Sequence, residues 1–184
     1  MEYFYELRIP KDRVAVLIGK KGETKEKLEE NTSCQIRVNS KEGEVFLKGK
    51  DALQLYSARQ MVTAIGRGFN PDIALQLLRP DYAFEMISIP DFISNPNQLK
   101  RLKGRVIGAN GKSRRMIEEH TETSISVYGK TVSVIGQSEH TGIAKAAITM
   151  LLRGSQHSKV YQWLEKKRRE LKKTKLLEGM DIRE

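Results

Sequence analysis

Cysteine is almost absent from this chain of 184 residues, Cys34 being the only one. A lone thiol excludes an internal disulfide and leaves His120, His140 and His157 without the thiolate partners of a structural zinc site. Cys34 itself reads as a small buried hydrophobe at the end of a helix. No stretch approaches the ~20 apolar residues that a membrane-spanning helix requires, although 39% of the chain is hydrophobic, enough to build real cores. The opening residues MEYFYELRIP lack a basic segment, an apolar stretch and a small-residue cleavage site in succession. No secretory signal is expected, and the expected compartment is the cytoplasm. Catalytic groupings are missing as well: no Ser/His/Asp set, paired-carboxylate spacing or metal-ligand cluster stands out. Neither an enzyme nor a cofactor, metal or small-molecule substrate is expected. Gly111-Lys112-Ser113 mimics the end of a P-loop. That motif needs a glycine where Val106 stands and a strand before the loop where this sequence predicts a helix.

Basic charge is abundant. Lys and Arg number 33 against 23 Asp and Glu, a formal net charge of +10, and such an excess favours a polyanionic partner through phosphate neutralisation and counterion release. Residues 1–80 hold 14 basic and 11 acidic side chains, residues 81–154 hold 10 and 7, and residues 155–184 hold 9 and 5. The shortest segment is therefore the most basic for its length.

The chain repeats itself. LIGKKGETKEKLEENTSCQIRV, from Leu17 to Val38, aligns without gaps onto VIGANGKSRRMIEEHTETSISV, from Val106 to Val127. Ile18, Gly19, Gly22, Glu29, Glu30, Thr32, Ile36 and Val38 recur as Ile107, Gly108, Gly111, Glu118, Glu119, Thr121, Ile125 and Val127. Ile9-Pro10 matches Ile89-Pro90 upstream, which places an insertion in the second copy between Asp91 and Arg105. Hydrophobic periodicity runs strand, helix, helix, strand, strand, helix in each copy. The expected first-copy elements are a strand over Phe4–Pro10, helices over Asp12–Ile18 and Thr24–Glu30, strands over Gln35–Asn39 and Glu44–Lys48, and a helix from about Ala52 to Ile65. The second copy predicts strands over Phe84–Pro90, Ser124–Val127 and Thr131–Ile135, then a helix ending before Gly154. The fold class is α+β: two βααββα units, each a three-stranded antiparallel sheet with helices on one face. Expected boundaries are 1–68 and 84–154 for the two units. Residues 69–83 form an ordered linker whose Ile73, Leu75, Leu77 and Leu78 glue the units together, and residues 155–184 a basic C-terminal helix and tail. On that helix Val160, Leu164 and Leu171 form a docking stripe, Trp163 packs on the second unit, and Lys166, Lys167, Arg168 and Arg169 form the densest basic run.

The motif V/I-I-G-x-x-G followed by a helix, present as Leu17-Ile18-Gly19-Lys20-Lys21-Gly22 and Val106-Ile107-Gly108-Ala109-Asn110-Gly111, resembles the type I KH domain in both copies. A helix-to-helix turn with two glycines lets sugar-phosphate approach the backbone, and the next helix points its N–H groups at the phosphates. The resemblance implies single-stranded RNA binding. Bases are expected over an apolar groove walled by Leu17, Ile18, Ile36 and Val38 in one copy and Val106, Ile107, Ile125 and Val127 in the other. No acidic residue occurs from Phe92 to Ile117, a window holding Lys100, Arg101, Lys103, Arg105, Lys112, Arg114 and Arg115. The second unit is therefore expected to grip the RNA backbone more strongly.

The whole arrangement, with Lys100-Arg101-Leu102-Lys103-Gly104-Arg105 leading into the second motif and a basic helix closing the chain, is similar to the KRR-R family of KH proteins, above all its archaeal members. These are the counterparts of the eukaryotic partner-of-Nob factor in small-ribosomal-subunit assembly. That resemblance implies binding of rRNA near the 3′ end of the small subunit, beside a Nob-type maturation nuclease and other assembly proteins. One departure stands out: the first copy keeps an intact G-x-x-G, which is degenerate in the eukaryotic relatives. Two other readings stay open, a KH adaptor in RNA decay or mRNA regulation, and a docking scaffold that uses one KH domain to bind protein.

Overall fold

The computed structural model describes residues 1–181, with side chains to residue 177; the last three residues of the predicted tail lie outside it. The first unit runs β1 (Tyr3–Arg8), α1 (Lys11–Ile18), α2 (Glu23–Thr32), β2 (Gln35–Asn39), β3 (Glu44–Gly49) and α3 (Ala52–Gly66). After the short helix α4 (Pro71–Ala74) the second unit repeats the order as β4 (Tyr82–Ser88), α5 (Gln98–Ile107), α6 (Lys112–Thr121), β5 (Ser124–Tyr128), β6 (Thr131–Gln137) and α7 (Ser138–Leu152). Helix α8 (His157–Asp181) follows. Two separate antiparallel sheets result, with orders β1-β3-β2 and β4-β6-β5. The class is α+β, two KH units with a C-terminal helix.

Local chemistry sets the element ends. Asp51 caps α3 by accepting from Leu53 N at 2.8 Å and Gln54 N at 3.2 Å. Gly68, at φ 97°, closes the same helix, and Phe69 N reaches back to Ala64 O. Both first strands stop two residues earlier than hydrophobicity predicts, at Arg8 and Ser88, because Pro10 and Pro90 donate no ladder hydrogen bond. Ile9 N and Ile89 N instead donate to Gly43 O and Lys130 O in the facing hairpins. The insertion in the second copy appears as the turn after Phe92 and two extra residues of helix in α5 relative to α1.

Within each unit the inner sheet face packs against helices. Leu17, Leu28, Ile36, Leu47, Met61 and Ile65 fill the first core, and Val106, Ile117, Ile125, Val134, Ile148 and Leu151 the second. The outer faces differ. That of the second sheet lies against the first unit: Ile135 is fully buried in the first core, Phe84 meets Phe69 edge-on at 6.3 Å, and Ser126 Oγ donates to Arg67 O at 2.7 Å. Tyr128 also donates a hydrogen bond to Asp12 across the junction. Asn70 caps α4 with Pro71 in its first turn, and Ala74 and Leu77 are buried there, but Leu78, read as glue, points outward and is exposed. Within the 3-10 turn Leu75–Leu78 only Leu77 is buried. At the other end, Val160 and Leu164 of α8 are fully buried in the second core, flanked by partly buried Tyr161 and Trp163.

Candidate nucleic-acid interface

The two G-x-x-G loops share one backbone path. Gly19, Lys21 and Gly22 have φ of 76°, 55° and 89°, and Gly108, Asn110 and Gly111 have 74°, 51° and 74°. The paired glycines have different jobs. A Cβ on Gly19 would lie 2.2 Å from Thr24 Oγ1 and 2.7 Å from Thr24 N, and one on Gly108 would lie 2.6 Å from Ser113 Cβ and 2.7 Å from Ser113 N. The first glycine thus lets α1 and α5 close onto the next helix. Space over Gly111 is open, with nothing within 4 Å of an added Cβ, and over Gly22 only Glu26 Oε1 approaches, at 3.7 Å. The second glycine supplies left-handed geometry and leaves room for an approaching backbone. As the N-cap residue it has no side chain, so no side chain caps the first-turn amides of α2 or α6.

Charge separates the loops. The first turn of α2 carries Glu23 and Glu26, which compete with an anion for the helix N-terminus; that of α6 has no acid and begins at Lys112. Lys20, Lys21, Ala109, Asn110, Lys112 and Arg115 are exposed. Arg115 Nη2 donates to Asn110 O at 3.0 Å and ties the second loop to its helix.

Three expectations need correction. Arg105, read as an RNA contact, is engaged within the fold: its Nε donates to Leu151 O at 3.0 Å and its Nη2 to Ser155 O at 2.6 Å, clasping α5 to the end of α7. Arg13 makes the equivalent clasp in the first unit, to Ile65 O and Phe69 O, both at 2.8 Å. Ile36 and Ile125, read as groove walls, are 0% and 5% exposed, because strand alternation turns them inward. Leu17 and Val106 are likewise core, leaving Ile18, Val38, Ile107 and Val127 as the partly exposed apolar groups beside the loops. On α8, which packs against α6 and α7, Lys166, Arg168 and Arg169 are exposed and Lys167 is half-buried. Lys167 bonds Glu170 at 2.7 Å and Arg169 bonds Glu165 at 2.6 Å, and among the described residues no ion pair joins this run to a loop.

A cavity of about 430 Å³ runs along the free edge of β5, lined by Arg114 and Glu118 of α6, by Ser124 to Tyr128, and by Arg13, Asn70 and Ile73 of the first unit. Sequence reasoning missed this composite wall, since nothing in a repeat alignment tells how the copies dock. Glu118, by contrast, was visible as one of the recurring identities.

Among the described residues no group of three or more His, Cys, Asp or Glu is arranged to hold a metal ion, and no helix is long and apolar enough to cross a membrane.

Comparison with known proteins follows the same division. A family described as the eukaryotic type KH-domain, KH-domain type I, matches residues 83–169, and the KH domain family matches residues 4–64. A KH domain-containing protein of Methanocaldococcus jannaschii is 49% identical over 92% of this chain and 76% of its own length. The pre-rRNA-processing protein PNO1 of Chaetomium thermophilum is 35% identical over 73% of this chain, which spans only 54% of that longer protein. Among solved structures, a chain of the a/eIF2alpha-aDim2p-rRNA complex from Pyrococcus horikoshii superposes with a TM-score of 0.86 at 44% identity, covering 92% of this chain and 96% of that one.

Proposed function

Because the chain belongs to the Pno1/Dim2 family of KH-domain proteins, we propose that it binds single-stranded ribosomal RNA during small-subunit pre-rRNA processing, chiefly through its second KH unit. The observation that carries this reading is the loop Gly108–Gly111. It is open above Gly111, free of acid in the following turn, and followed by Lys112, Arg114 and Arg115. A backbone phosphate set on that loop meets uncapped amides and a net positive surround. Bases then pass over Ile107 and Val127 toward the cavity beside β5. A KH groove holds about four nucleotides, and the deep major groove of a paired RNA helix is closed to side chains, so the target strand is open. In keeping with the resemblance to the KRR-R family, the proposed target strand lies near the 3′ end of the small-subunit rRNA, with a Nob-type nuclease as a proposed neighbour. The basic run of α8 adds phosphate contacts without sequence choice.

Competition binding tests the assignment. A single strand matching the 3′ end of the small-subunit rRNA is set against a scrambled strand and a duplex of equal length at one salt concentration. The rRNA strand is expected to compete best. Equal competition by the scrambled strand or the duplex leaves only general RNA binding.

A further inference from the structure

The recurring glutamate is not idle in either unit. Glu29 Oε1 accepts from Ile36 N at 2.6 Å, and Glu118 Oε1 accepts from Ile125 N at 2.8 Å. Strands β2 and β5 are the edges of their sheets, so each carboxylate occupies an edge amide that an incoming polar group would otherwise pair with. This bond fixes the carboxylate's orientation and directs its second oxygen toward the cation four residues earlier: Lys25 Nζ lies 3.7 Å from Glu29 Oε2, and Arg114 Nε lies 3.8 Å from Glu118 Oε2. Both separations exceed hydrogen-bond length. In the second unit Arg114 Nε is shielded from solvent and finds no hydrogen-bond partner among the described residues, although the side chain as a whole is 43% exposed, and Arg114 and Glu118 both line the cavity along β5. A shielded donor lacking a partner beside a held acceptor oxygen, in a cavity next to a phosphate loop, is a site waiting for a planar polar edge.

Resting on the RNA-binding reading above, we infer that Glu118 and Arg114 form a base-reading pair that accepts an exocyclic amino group of one RNA base and excludes uracil. A carboxylate only accepts, so it needs a base N–H. The amino groups of adenine, cytosine and guanine project from the ring edge, where one oxygen can reach them. The N3–H of uracil sits between two carbonyls, whose lone pairs repel an approaching carboxylate. Arg114 donates to the ring or carbonyl acceptor beside the amino group, the arrangement by which carboxylates and guanidinium groups read base edges elsewhere. The first unit carries a weaker version, because the lysine head is a point charge without a planar fork.

Glu118→Gln separates reading from scaffolding. The amide oxygen still accepts from Ile125 N, but the group facing the cavity changes from acceptor to donor. In the full chain at one salt concentration, each position of the best-binding strand is changed to uridine and, separately, to the other bases. Wild type is expected to show one position where uridine weakens binding about tenfold relative to the amino-bearing bases. In Glu118→Gln that penalty falls to within about twofold, because the new donor suits a carbonyl. An identical uridine penalty in both proteins overturns the inference and leaves Glu118 as a tie between helix and strand. Should Glu118→Gln fail to fold, Arg114→Lys decides: it keeps the charge and the glutamate's bond to Ile125 but removes the fork, and an unchanged base profile overturns the pair. Wild type that binds no single strand at all refutes the RNA-binding reading itself, an outcome distinct from bound RNA with an unaltered profile.

Discussion

Gly108 and Gly111 sit three residues apart in one loop and fail differently when changed. A methyl group on Gly108 collides with Ser113 at 2.6–2.7 Å, partly against backbone, so Gly108→Ala combines overpacking with positive-φ strain, together about 2–4 kcal/mol of stability. Gly111→Ala meets open space and costs only the left-handed strain, about 1–2 kcal/mol. Urea unfolding is expected to separate the two variants by at least about 1 kcal/mol, and equal losses would show that the collision is relieved by movement of α6. Arg105 belongs to the same scale. Deleting its side chain leaves Leu151 O and Ser155 O without their charged donor, so Arg105→Ala is expected to lose about 2–3 kcal/mol. A drop in RNA affinity with unchanged stability would instead return Arg105 to the phosphate-binding role first expected of it.

At the scale of elements, the contrast lies between α2 and α6. Acid in the first turn of α2 and its absence from the first turn of α6 mean that two aspartates at Ala109 and Asn110 spoil a favourable field, whereas two at Lys20 and Lys21 worsen one already diluted. The second pair of changes is therefore expected to weaken RNA binding less than the first, measured at fixed salt with folding checked by circular dichroism. Equal losses would put the two loops on the same footing. Helix α8 contributes differently. Val160 and Leu164 anchor it, while Lys166, Arg168 and Arg169 are exposed and Lys167 is half-buried. Replacing Lys166, Lys167, Arg168 and Arg169 with alanine is expected to lower affinity about equally for all strands. The slope of log K against log salt flattens by at most ~0.7 for each phosphate that is no longer neutralised. A change in sequence preference would mean that the helix touches bases.

Across the whole molecule, the two units are joined through unlike surfaces: the outer face of the second sheet meets the helical side and linker of the first. Phe69, Ala74, Leu77, Phe84 and Ile135 form the apolar part, with Arg67, Ser126, Asp12 and Tyr128 beside it. The hydrogen bond to Asp12 raises the Tyr128 pKa, aided by desolvation and by the nearby negative charge. A raised folded-state pKa means that the tie is present while the phenol is neutral and is lost as pH rises past the ordinary tyrosine range of about 10. Wild type is accordingly expected to melt above Tyr128→Phe at about pH 8, with the gap closing as the phenol ionises above about pH 10. A gap independent of pH would assign the effect to packing.

Much of the fold was legible in the sequence because the same physical demands are met twice. Thr32 and Thr121 bond the carbonyls of Leu28 and Ile117 at matching helix ends, Ser33 and Glu122 then turn left-handed at φ 51° and 52°, and Ile36 and Ile125 enter matching cores. Glycine spacing, strand and helix periods and the acid-free stretch leading into α6 are local properties, so the chain by itself determined the βααββα order, the doubled loop and the cation-rich surround of the second loop. Side-chain direction at a distance is not local. Whether Arg105 reaches a phosphate or two carbonyls about 50 residues away, whether Leu78 is buried, and which sheet face is covered depend on how the helices and the two units dock. Only the tertiary structure decided these, and with them the cavity in which Arg13, Asn70 and Ile73 of one unit face Arg114 and Glu118 of the other. Docking is settled by the summed burial of residues far apart in the chain, a quantity that no short stretch of sequence carries.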